Sequence, residues 1–165
     1  MASVLSPCAI KWLKAASWSE DYRWPIEPIL EDELRKAGHR PNPAALRFLA
    51  HYGGLEWHRF NPYQPNAGTL MCHTNALTVA EKLVPAWCEA GAAEPGSSLC
   101  PIGEDGYGHF LVAMDEQGRV YGMAADTGEW KEFNDSGEEY LDNSDWAIAE
   151  LIKPGGRLPR MPKGD

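Results

Sequence analysis

Cys100 stands beside Pro101 with His109 further along the same stretch, and a thiol within reach of an imidazole is the minimum for a cysteine nucleophile. The bland alternative is that Cys100 points into a sheet while His109 lies on its polar face. A second arrangement would gather Cys72, His73, Cys88 and Cys100 around zinc, whose usual ligands are thiolate and imidazole. Their wide scatter, with no Cys-x-x-Cys or His-Glu-x-x-His spacing, argues instead for small apolar core residues. The zinc deaminase pattern and the Gly-x-Ser-x-Gly elbow are missing from the sequence too. The expectation is therefore no catalytic residue, no metal and no cofactor.

Carboxylates are plentiful. Glu104 with Asp105, Glu138 with Glu139, and Asp142 with Asp145 could each be a pair, yet glycosidase chemistry needs two carboxyls held at a set separation across a pocket. Solvated polar faces explain all three more simply. The run "GEDGYG" (Gly103 to Gly108) lacks the lysine and hydroxyl of a P-loop, and a strand pattern follows it where a dinucleotide fingerprint would open a helix. Its two carboxylates would also repel phosphate. It reads as an exposed loop whose glycines take positive φ between antiparallel strands.

What remains is surface character. From Asp126 to Asp145 there are eight acids against one base, Lys131, with Trp130, Phe133, Tyr140 and Trp146 interleaved. Acids around aromatic anchors suit a binder of a basic protein surface, because aromatics concentrate binding energy and charge speeds encounter. Aromatics facing the core with acids facing water would give the same pattern, so both readings stand. The formal charge of the 165-residue chain, −9, sets it against direct nucleic-acid binding; it would suit a basic protein partner, although ordinary solubility explains it more simply. No apolar run reaches membrane-spanning length, and the lysines of "MASVLSPCAIKWLKAASW" sit inside its apolar run, where a signal peptide would put them ahead of it. A cytoplasmic address is the expectation, with no membrane partner and reduced thiols.

The elements that must position these residues can be read in order. The short amphipathic piece "CAIKWLKAASW" could lie on the domain or be loose. "PIEPILEDELRKAG" places Ile26, Ile29, Leu30, Leu34 and Ala37 at helical spacing, acids early, a basic pair late and Gly38 to stop it. Asn42 and Pro43 open a second helix that closes at Gly53-Gly54, and "LEWHRF" follows as a strand before the turn residues of "NPYQPNAG". A helix from Asn75 to Gly91, with Leu77, Ala80, Leu83, Val84 and Trp87 on one side, is kinked or broken at Pro85. Strands are expected at Leu99 to Ile102, Tyr107 to Met114, Arg119 to Ala124 and Glu129 to Phe133, with a tight turn at Asp115 to Gly118. Ser136 with Glu139 forms a capping box for a last helix, and "PGGRLPRMPKGD" is too rich in Pro and Gly to fold alone.

The order "FLAHYGGLEW", then "CPIGEDGYGHFLVAMDEQGRVYG", then "EEYLDNSDWAIAELI" resembles the SUKH superfamily, above all its third subgroup, which includes immunity proteins of bacterial polymorphic toxin systems. The upstream "AASWSEDYRWPIEPILEDELRKAG" is similar to that subgroup's opening. The resemblance implies an α+β fold, a mainly antiparallel sheet flanked by helices, in a non-enzymatic protein that neutralises a cognate toxin, often a deaminase or nuclease. It spans about residues 15 to 152, leaving 1–14 as an N-terminal extension and 153–165 as a tail. The expected partner-binding residues are Glu104, Asp105, Tyr107, Glu129, Trp130, Glu132, Glu138, Glu139 and Asp142. A regulatory or adaptor module without a toxin would use the same surface, and a small hydrolase would use Cys100 and His109.

Overall fold

A computed structural model describes residues 5–60, 69–106 and 108–142. Its centre is a six-stranded sheet in which every neighbouring pair is antiparallel and spatial order follows chain order: β1 (Glu56–Phe60), β2 (Thr69–His73), β3 (Cys100–Asp105), β4 (Phe110–Met114), β5 (Val120–Ala124) and β6 (Trp130–Asn134). The helices are α1 (Pro7–Ala15), α2 (Glu27–Lys36), α3 (Pro43–Tyr52), α4 (Ala76–Lys82) and α5 (Pro85–Gly91), and residues 137–142 are also helical. This is the expected mixed α and β fold, an antiparallel sheet flanked by helices.

Local chemistry sets the helix ends. The Asn42 side chain accepts a hydrogen bond from the Ala45 amide at 2.8 Å and donates to the Met114 carbonyl at 3.1 Å, so one residue caps α3 and ties it to β4. Ser136 accepts from the Glu139 amide at 3.1 Å, as a capping box requires. The Glu139 carboxylate reaches back to the amide of Asp135, one residue before the cap, at 3.2 Å.

Side chains alternate between two sheet faces. Cys100, Ile102, Val112, Met114 and Val120 join Phe48 and Leu49 of α3, Leu30 and Leu34 of α2 and Trp57 of β1 in the larger core cluster. Leu99, Leu111, Ala113, Tyr121 and Met123 form a second cluster with Cys88 of α5. Helix α4 feeds both, Ala76 and Ala80 joining the first and Val79 and Leu83 the second.

Of the two readings open for the N-terminal amphipathic piece, it lies on the domain: Leu5, Ala9 and Leu13 are buried in the main cluster, because α1 lays its apolar side against β1. The strand at Thr69–His73 was not expected; pairing of all five of its residues with β1 decides it. The break expected at Pro85 divides the stretch from Asn75 to Gly91 into two helices, since Leu83 and Val84 are extended where Pro85 removes a backbone donor. The break shifts the helical phase, so Val84 and Trp87, expected beside Leu83 in the core, are exposed. Finally, β3 runs on to Asp105 and β4 starts only at Phe110, so Glu104 and Asp105 belong to a strand, while Gly106 and Gly108 supply the positive φ of the connection. The last helix beyond residue 142 and the tail lie outside the described residues.

A β-bulge explains the course of β3. Pro101 opposes Ala113 but Gly103 opposes Val112, so an extra residue sits at Ile102 and alternation restarts. Glu104 therefore faces the same side as Leu111, toward α4, and Asp105 faces the side of Phe110. A Cβ on Gly103 would lie 2.1 Å from the carbonyl oxygen of His73, so only glycine lets β3 approach β2 at their single register pair, His73 with Glu104.

Candidate functional site

Cysteine chemistry fails on geometry. Cys100 opposes Met114 at one end of the β3–β4 ladder, while His109 precedes Phe110 at the other end and is exposed. Five residues of strand put them about 16 Å apart along the ladder. Burial pushes the Cys100 thiol up to about 12, the opposite of an activated nucleophile. The cysteine hydrolase is overturned on both counts. The thiol that does meet an imidazole is Cys88, whose Sγ lies 3.8 Å from His39 Nδ1, a pairing that residues 49 positions apart give no sign of in the sequence. His39 is itself buried and its Nε2 donates to the Ala80 carbonyl at 3.0 Å, which leaves Nδ1 as an acceptor for the thiol proton. Burial raises Cys88 to about 12 also, so this pair locks α5 to the loop after α2. Among the described residues, no group of three or more His, Cys, Asp or Glu side chains could hold a metal ion.

The expected partner-binding residues do not form one patch. Glu104 was expected on an exposed loop; it is buried, 4 % exposed, because the bulge turns it beneath α4. There its carboxylate takes an ion pair from Lys82 and lies 3.4 Å from His73 Nε2. The Asn75 amide donates to His73 Nδ1 at 3.1 Å, which places the imidazole proton on Nε2, toward Glu104. Glu104 is thus a buried, compensated charge, a poor surface for a partner. Asp105 is half-buried and accepts from the Tyr140 hydroxyl at 3.1 Å and the Cys72 thiol at 3.5 Å, which joins β3 to the helical run at 137–142. Tyr107 lies outside the described residues.

The remaining six divide between the two sides of the sheet. Trp130 and Glu132 oppose Met123 and Tyr121, whose side chains belong to the second cluster, and Glu129 is exposed next to them. Glu138, Glu139 and Asp142 sit on the α3 side. Asp142 accepts from the Ser6 amide at 3.0 Å, Glu139 serves the cap, and Glu138 lines an open cleft of about 380 Å³ with Arg47, Phe48, His51, Tyr52 and Met114. Burial, then the charges of Glu138 and Asp142, raise the Tyr52 phenol above its usual range, so the cleft's aromatic wall sits in negative potential.

Trp87 was missed. It is 47 % exposed, and Val84, one helical turn earlier, is 43 % exposed. The Trp130 indole donates to the Trp87 carbonyl at 3.0 Å and lies across Gly91, where a Cβ would come within 2.6 Å of the ring. The sequence signal was Pro85: once it divides the helix, residues after it no longer share the phase of Leu83.

The family model described as SUKH-3 immunity protein matches residues 5–146 of the chain. No curated protein and no solved structure matches it.

Proposed function

We propose that this chain, which belongs to the SUKH superfamily, is a third-subgroup immunity protein that acts in the cytoplasm by binding a cognate toxin and covering its working surface. The family match from residue 5 to residue 146 carries this reading, since it takes in all the described residues. The net charge of −9 supports a toxin with a basic face, such as a deaminase or nuclease that must itself hold nucleic acid. Occlusion needs no chemistry from the inhibitor, and the high pKa of the two deeply buried thiols, Cys88 and Cys100, fits that.

The deciding experiment expresses the product of the gene adjacent to this one, with and without this chain. Survival only when both are present, with the two proteins co-purifying, is the expected result; death despite soluble expression of this chain overturns the proposal. An adaptor without a toxin would give no protection. Among the acids, Glu129 and Glu132 are the informative pair to reverse, because both are exposed and, among the described residues, neither side chain takes part in a cap or an ion pair. Glu129→Lys with Glu132→Lys should weaken toxin binding about tenfold at low salt, chiefly through slower association, and flatten its salt dependence. An unchanged dissociation constant at low salt would exclude that face from the interface.

A further inference from the structure

The ledge formed by Val84 and Trp87 has no role in the fold that explains its exposure. Single exposed apolar residues are ordinary, but two of the three large exposed hydrophobics among the described residues stand one helical turn apart here. Trp130 continues the ledge, and its bond to the Trp87 carbonyl and its seat on Gly91 fix β6 against α5. The Trp130 ring and the backbone that carries Trp87 are therefore held before any partner arrives, which reduces the ordering entropy lost on binding.

We propose that Val84 and Trp87, continued by Trp130, form the apolar centre of the toxin interface and seat in an apolar pocket of the toxin ringed by lysine or arginine. This rests on the immunity reading above. Charge complementarity selects the occupant. Glu81, Glu94 and Glu129 are exposed in the segments flanking the ledge, while Arg40 pairs with Glu89 at 3.6 Å and Lys82 with buried Glu104. A second copy of this chain would bring a like-charged rim against this one, which opposes self-association. Tryptophan at the centre with charges at the rim is the arrangement in which a single side chain carries a large share of affinity.

The test titrates the full chain with the purified product of the gene adjacent to its own, the protein used in the protection experiment above. Trp87→Ala is expected to weaken binding at least tenfold, mainly through faster dissociation, with the melting temperature within about two degrees of wild type because the indole is half exposed. Val84→Ser, the second variant, should weaken binding severalfold and guards against a folding defect peculiar to the first. Wild-type binding that both variants retain in full overturns the ledge while leaving the immunity reading intact. Failure of the wild-type chain to bind or protect overturns the immunity reading, and the ledge with it.

Discussion

Gly103→Ala is expected to lower the melting temperature by about 10 °C, corresponding to about 3 kcal/mol for a domain of this size. The added methyl would lie 2.1 Å from the His73 carbonyl oxygen and 3.1 Å from the Cα of Thr74, and both are backbone atoms that no rotamer change can move. The strain falls where the sheet is least able to absorb it, since β2 and β3 share only the His73–Glu104 pair. Moving β3 away would also part Glu104 from His73 and pull at its contact with Lys82, leaving a buried carboxylate less compensated. Gly96→Ala is the control. Its φ of +83° makes alanine uncomfortable, but nothing lies within 4 Å, so the loss should be about 1 kcal/mol. Thermal melts of the two variants should differ by several degrees; equal melts would mean that β2 and β3 do not approach as described.

The second large effect concerns the thiols. In the native protein at pH 8, Cys88 and Cys100 should react with iodoacetamide about a thousandfold more slowly than an unfolded cysteine. Burial holds both thiols near 12, so only about one in ten thousand is thiolate, against roughly a quarter for a free cysteine. Peptide mapping by mass spectrometry, before and after guanidinium denaturation, reads this directly, and rapid native labelling of Cys100 would revive a nucleophilic role. The same shift makes stability depend on pH. Folding raises these two pKa values, so the unfolded chain gives up its thiol protons first; the stabilisation is complete below about 9 and is lost as pH rises through about 12. Denaturation midpoints should therefore fall between pH 9 and pH 11, and Cys88→Ala with Cys100→Ala should flatten that fall.

The fold was largely legible because its helices and hairpins are specified by neighbours in sequence. Asn42 with Pro43 announces α3, and Ser136 with Glu139 announces the helical run at 137–142, through side-chain to amide bonds that span three residues. The turn after β4 is similar: Asp115 accepts from the amides of Gln117 and Arg119 and from the Arg119 guanidinium at 2.7 Å, all within five residues. The site was less legible. Glu104 read as a loop acid because "GEDGYG" carries three glycines, but the glycine that matters most there, Gly103, serves a contact with β2 thirty residues earlier in the chain. Asp142 read as a surface acid and instead holds the amide of Ser6, at the opposite end of the chain.

By itself the sequence determined what depends on composition and short spacing: an acidic chain, capped helices and most of the strands, with the antiparallel sheet following from its resemblance to the superfamily. Only the tertiary structure decided which acids face water. That choice rests on one bulge at Ile102, which reverses the face of Glu104, and on one break before Pro85, which rotates Trp87 out of the core. One is a one-residue change of phase and the other a two-residue break. Strand and helix periodicities place a side chain only relative to its own element, so a shift of one residue, set by packing against distant backbone, exchanges buried for exposed.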